Sequence, residues 1–274
     1  MRTLVVLLAA TLFSGCSSTV LAEPAIHVSP YLALYQLRGK TKMQSVGAMP
    51  SEIVSNPQQK LRSFGQDRHR EDVGLRADIG DGFGGIRAEY YRLDMDTART
   101  GELEYDWGSL LQGDMVSIYA EMDEVRIGYL EPFADIRTEY RNEELRLQFA
   151  AGGVFSTRSM TLHGREATPG TRAQDLTITG DVVYLAARAR ATWKQFVFDL
   201  DYAGAPEELV ISGDMEDFSQ DIEARLSYRL PQRDISFFAG MRYSTISASG
   251  DANGFRYDNE MAIDGFQLGI TVTF

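Results

Sequence analysis

The sequence predicts an all-β fold: a single antiparallel β-barrel of about ten strands, with eight or twelve left open. Three observations carry this. Apolar residues recur with a period of two in one segment after another. The connections alternate between tight turns and long polar stretches. The last segment keeps strict alternation to its final residue, Phe274. Period two places alternate side chains on opposite faces of a strand. Short connections at one end and long ones at the other suit a closed barrel that crosses a bilayer, where a sandwich has no reason for them.

Composition narrows the class. The chain has 274 residues, 24% of them charged and 44% hydrophobic, which argues against disorder. Mean hydropathy is −0.22, and past the N-terminus no apolar run is long enough for a spanning helix. Strands that alternate keep ordinary hydropathy and still span. A net charge of −12 argues against nucleic acid as a partner. The one cysteine, Cys16, falls in the leader, so residues 23–274 have no disulfide and no cysteine metal site.

The leader reads as a signal peptide over residues 1–22. Arg2 is its charged start, Leu4 to Phe13 its apolar core, and Val20-Leu21-Ala22 allows cleavage before Glu23. A lipobox ending at Cys16 is the competing reading. The barrel domain is expected over residues 23–274.

The strands are placed at Ile26–Leu37, Asp72–Ile79, Gly84–Leu93, Val116–Tyr129, Glu144–Phe155, Val182–Thr192, Phe196–Tyr202, Asp221–Leu230, Ile235–Tyr243 and Gly265–Phe274. In the first, Leu32 and Leu34 compete with Tyr31, Ala33 and Tyr35 for the apolar face. In the fourth, apolar parity switches between Met122 and Val125, read as a bulge or as emergence from the membrane with Asp123 and Glu124 at the rim. Glu131 to Glu143 is read as a small helix or an extended hairpin. Tight turns are expected at Gly80–Phe83, Trp193–Gln195 and Pro231–Asp234. Long loops are expected at Lys40–His69, Asp96–Leu111, Met160–Asp175, Ala205–Ser219 and Ser247–Glu260.

In the last strand Phe266, Leu268, Ile270, Val272 and Phe274 form one apolar face. It resembles the final strand of Gram-negative outer-membrane barrels, which ends on an aromatic that the insertion machinery recognises. The resemblance implies an outer-membrane location, with lipid, lipopolysaccharide and the assembly machinery as partners and a monomeric barrel as the expected state.

If the apolar faces meet lipid, the other faces fill the interior. They carry Arg76, Asp78, Arg87, Glu89, Arg126, Arg146, Arg188, Arg190, Asp199, Asp201, Glu223, Arg225, Arg229 and Arg242. The tight turn at Trp193–Gln195 sets Arg188 and Arg190 beside Asp199 and Asp201, with Glu223 and Arg225 next. Filling by ion pairs is favoured over a narrow pore for small solutes.

The candidates for chemistry are His27, His69 and His163. His69 lies in Arg68-His69-Arg70-Glu71-Asp72, and His163 follows Ser156 and Ser159. A His–Asp pair at a rim would suit a hydrolase acting on envelope lipid or peptide, the alternative to a structural, binding or porin-like barrel. A secreted soluble β-sandwich is the third reading. Acidic clusters at Glu207–Asp221 and Asp94–Asp106 lack a calcium-loop spacing, and Lys40, Lys42, Lys60 and Arg62 could meet lipopolysaccharide phosphate. No catalytic, cofactor or metal site is assigned.

Overall fold

The computed structural model describes residues 25–45, 56–65, 70–95, 99–168, 172–215 and 219–274. The leader, Cys16 and His69 lie outside them. The strands are β1 (Ala25–Ser45), β2 (Gln59–Lys60), β3 (Arg70–Gly80), β4 (Gly85–Met95), β5 (Gly101–Glu102), β6 (Met115–Tyr140), β7 (Glu143–Glu166), β8 (Ala173–Trp193), β9 (Phe196–Ala205), β10 (Val210–Gly213), β11 (Ser219–Arg229), β12 (Ile235–Ala252) and β13 (Phe255–Thr273). The ten longer strands pair antiparallel with their sequence neighbours. The ring closes between β1 and β13, where His27 faces Thr273. The short β2, β5 and β10 add to the outer parts of β1, β6 and β8.

Register fixes the width. Registered partners followed around the ring from Arg137 pass through Arg146, Thr192, Val197, Ser227, Phe238, Gly269, Tyr31, Gly74 and Tyr91. They return to β6 at Glu124, and one residue on the way back is the bulge between Pro132 and Ala134. A stagger of this size tilts the strands by about 40° and leaves an interior that side chains fill. Inward aromatics lie over glycines of the next strand. A Cβ on Gly74 would stand 2.1 Å from the Tyr31 ring, and one on Gly269 would stand 2.5 Å from Phe238.

The barrel has two layers, and strands such as β1, β6, β7, β12 and β13 run through both. The lower end carries Ala25, Phe274 and the short turns after β3, β6, β8 and β11; the upper end carries the long connections and the Asn253-Gly254 turn. In the lower layer, outward positions are apolar, as in Leu32, Leu75, Ile127, Leu185, Leu200, Met241 and Leu268. Inward positions are mainly polar or charged, with a few apolar side chains such as Val197 and Phe238 among them. In the upper layer the pattern inverts. On β6 the inward residues are Val116, Ile118, Ala120 and Met122, then Glu124 and Arg126; the outward ones are Glu121 and Asp123, then Val125 and Ile127. The parity switch, expected as a bulge or as emergence from the membrane, is a regular stretch of strand whose surroundings change. Asp123 does stand at the rim, but Glu124 is fully buried inside.

The inversion explains why the expected strands were too short. They stopped where the outward face turned polar, at Phe155 on β7 and Tyr243 on β12, but the ladders continue to Glu166 and Ala252. Much of the expected loops at Met160–Asp175 and Ser247–Glu260 is strand, and so is the start of Lys40–His69. The Asn253-Gly254 turn has both residues at positive φ, 53° and 82°, as a two-residue hairpin requires. Glu131–Glu143 extends a hairpin. Its turn, Arg141-Asn142, also takes positive φ at both residues.

Connections fold into the upper end. Leu61, Phe64, Leu103, Trp107 and Leu110 join Met43, Leu93, Met160, Leu162, Leu176 and Ile178 in one apolar core. Trp107 is fully buried; its Nε1 donates to Thr41 Oγ1 at 2.9 Å, and its ring meets Phe64 edge-on at 5.5 Å. No helix of the described residues is long and apolar enough to cross a membrane.

Candidate functional site

The charged interior of the lower layer is the candidate site. Its side chains stand on consecutive inward positions of neighbouring strands, so alternation and register bring them together. Register sets Arg188 opposite Asp201 and Arg190 opposite Asp199, with Glu223 and Arg225 on the far sides of the same aspartates. Arg188 Nε donates to Asp201 at 2.5 Å and Arg190 Nε to Asp199 at 2.6 Å. Arg225 reaches Asp199 only at 3.5 Å. Glu223 turns across the lumen instead, accepting from Arg76 at 2.8 and 2.6 Å.

The network is wider than those six residues. Arg76 also binds Glu89 at 2.8 Å, and Arg87 bridges Asp78 at 2.6 Å and Asp201 at 3.3 Å. Arg242 spans Asp221 and Glu89 at 3.0 and 3.4 Å. Glu124 collects Arg126 at 2.7 Å, Arg158 at 3.0 Å, Ser156 at 2.5 Å and the Tyr91 hydroxyl. Among the described residues, an interior cavity of about 60 Å³ lies beside Arg76, Arg87 and Arg188, a space for water rather than solute. Carboxylates thus stand between guanidiniums from wall to wall, an arrangement that lets buried charges persist.

Sequence reasoning missed Glu124, Arg158 and Asp221 as interior residues. Their signal was inward parity: Glu124 is two before Arg126, Arg158 two after Ser156, and Asp221 two before Glu223. It also placed two residues inside that are not in the network. Arg146 lies on the protruding β6–β7 hairpin and binds Asp135 at 2.6 Å near solvent, which holds that aspartate below the usual carboxylate range. Arg229 is exposed at the lower mouth.

The histidines separate. His27 Nδ1 shares a hydrogen bond with Thr273 Oγ1 at 2.8 Å beside the β1–β13 closure. His163 stands on the outward face of the upper layer, its Nδ1 2.9 Å from Asp175 and its ring stacked on Tyr119. Ser156 is inside, bonded to Glu124, and Ser159 lies in register with Asp123 and Thr179. Neither hydroxyl meets His163, so neither of these serines serves the pair as a nucleophile. Among the described residues no group of histidines and carboxylates is arranged to hold a metal ion.

No protein-family model matches the chain, and no curated protein matches its sequence. Solved structures do resemble it. The outer membrane protease OmpT from Escherichia coli aligns over 91% of this chain and 97% of that one, with 13% identity and a TM-score of 0.52. A FadL homologue from Pseudomonas aeruginosa aligns over 92% and 90%, with 8% identity and a TM-score of 0.35. Neisserial surface protein A aligns over 91% and 99%, with 12% identity and a TM-score of 0.22. At such identities the OmpT likeness speaks for the fold alone, and that fold is the closed antiparallel β-barrel of outer-membrane proteins.

Proposed function

We propose that this chain is an integral outer-membrane β-barrel with a closed lumen, serving as a structural or binding element of the envelope and not as a pore. The carrying observation is the double filling: a wall-to-wall ion-pair network below and an apolar core above, both inside one ring of ten strands. The outward apolar faces of the lower layer supply the lipid contact, and girdle aromatics such as Tyr90, Tyr202, Tyr228 and Tyr243 stand near its edges. The lower end, with its tight turns, faces the periplasm in this reading. The upper layer stands in water outside the cell, where lipopolysaccharide is its neighbour. The strand bearing Phe266, Leu268, Ile270, Val272 and Phe274 is the one offered to the assembly machinery, and the barrel works as a monomer.

Planar-bilayer recording on the refolded full chain tests the reading. Closed bilayers without stepwise conductance are expected, because a solute-sized path would have to break both fillings. Reproducible ion-selective steps would overturn it and return the narrow pore.

A further inference from the structure

The lower mouth of the barrel opens into a cavity of about 300 Å³. Its ceiling is the ion-pair network, so it is a blind vestibule entered from one end. The charges on its walls are unevenly paired. Asp199 is engaged by Arg190 at 2.6 Å, and the Asp81 carboxylate accepts from the backbone N–H groups of Phe83 and Gly84 at 2.8 and 2.7 Å. Asp78 is taken by Arg87 at 2.6 Å, Asp234 stands exposed at the mouth, and three arginines along β11 and the turn after it make no close ion pair with these carboxylates. The Arg225 side chain is only 7% exposed, yet its Nε has no hydrogen-bond partner and its one carboxylate contact is the 3.5 Å approach to Asp199. Arg229 and Arg233 line the same cavity, and among the described residues neither guanidinium has a carboxylate within ion-pair distance.

We propose that this vestibule is a binding site for a small oxyanion, a phosphate or carboxylate group presented from the lower end, held by Arg225, Arg229 and Arg233. A buried guanidinium with an unmet donor is costly to leave so. The Arg225 guanidinium also lies over the Phe238 ring at 5.1 Å, and a planar fork at the wall of a polar cavity suits an oxyanion by charge-assisted hydrogen bonding. Ser227, between Arg225 and Arg229 on the same face, supplies a further donor from the wall. The volume admits the anion with a small organic body and excludes a polymer chain. The anion arrives either as a free solute or as the headgroup of an inner-leaflet phospholipid.

Isothermal titration of inorganic phosphate into the detergent-folded full chain, at constant ionic strength in chloride, tests the site. Saturable binding is expected, with a Kd of about 1 mM or tighter. Arg229→Gln and Arg233→Gln should each weaken it by about tenfold through loss of a charge-assisted bond. Both side chains lie outside the interior network, so folding, read as heat-modifiable gel migration, should be kept. Arg256→Gln, at the opposite end, should change nothing. Repeating the titration in phosphatidylcholine bicelles with and without phosphatidylglycerol separates the sources. Competition by the anionic lipid supports the site with a headgroup as occupant; undiminished binding supports it with a free anion. Absence of saturable binding, or variants that bind as the parent does, would overturn the proposal. Calorimetry reads the mouth whether or not the lumen conducts, so this failure is distinct from failure of the closed-barrel reading.

Discussion

The lower half of the barrel is wrapped in apolar side chains and filled with charge, whereas the upper half is filled with apolar side chains and wrapped in charge. The same ladders run through both, and on β6 a single inward row carries Ile118, Met122, Glu124 and Arg126 in succession. The backbone is therefore indifferent to which face is apolar; the surroundings decide. Where water surrounds the wall, the interior is the place to bury apolar surface. Where lipid surrounds it, the outside takes the apolar residues and the interior can hold polar ones. The two halves must then fail differently. Charge filling depends on each carboxylate having its guanidiniums, while apolar filling depends on volume.

The largest expected effect tests the charged half. Glu124→Ala removes the acceptor shared by Arg126, Arg158, Ser156 and Tyr91. It should cost about 3–5 kcal/mol in urea unfolding of the lipid-reconstituted chain, because the buried Arg158 loses its carboxylate and Arg126 keeps only Asp221, at 3.0 Å. Asp199→Ala should behave alike. A loss of only about 0–1 kcal/mol would mean a wet interior and break the contrast.

In the other half, Trp107→Ala opens a cavity in the upper core and should cost up to about 3–5 kcal/mol there. The damage should appear as faster proteolysis of the upper connections while the lower barrel keeps its heat-modifiable migration. Collapse of the whole ring would show that the two layers are one cooperative unit. Outward positions on β13 sharpen the boundary. Leu268→Arg, in the apolar belt, should destabilise by about 2–4 kcal/mol in lipid. Glu260→Arg, outward on the same strand in the upper layer, should stay within about 0.5 kcal/mol. Equal effects would put the boundary elsewhere.

The smallest effect concerns Asp175. The hydrogen bond from Arg165, at 2.5 Å, and that shared with His163 hold its carboxyl below the usual carboxylate range. A folded-state pKa below the unfolded one gives stability that is fully present above the unfolded value, near 3.9, and is lost as pH falls through the folded one. The group is half exposed, so its worth is about 0–1 kcal/mol. Protection factors for hydrogen exchange, which correct for the slower intrinsic rate in acid, should fall at the outer ends of β7 and β8 below about pH 4 in the parent. Asp175→Asn should flatten that response; an unchanged acid response would assign it to another carboxylate.

Alternation over eight to ten residues was enough to read the belt-spanning halves of the strands, and with them the ring and the tight turns. The upper halves were hidden because the apolar parity inverts there, so a search for one continuous apolar face ends at the boundary. Two cues inside the supposed loops mark the continuation: Met160 and Leu162 share the inward parity of Ser156, and Asn253-Gly254 is a hairpin turn. The pairing of Arg188 and Arg190 with Asp199 and Asp201 could be reasoned from one short turn because it is local. The partner of Glu223 could not, since Arg76 stands 147 residues away in sequence and only closure of the ring brings them together.

The β6–β7 hairpin has an exposed flank. Leu130 pairs with Gly85, the first residue of β4, and from Glu131 to Tyr140 β6 has only β7 beside it. A bare flank of backbone donors and acceptors would recruit a strand from any neighbouring chain. This stretch discourages it. Pro132 offers no donor, the irregularity between Pro132 and Ala134 breaks the straight repeat, and Asp135, Arg137 and Glu139 would have to be matched by an incoming strand. The segment that looked too long for a turn thus carries, in its proline, its irregularity and its charges, features that discourage pairing with a strand of another chain.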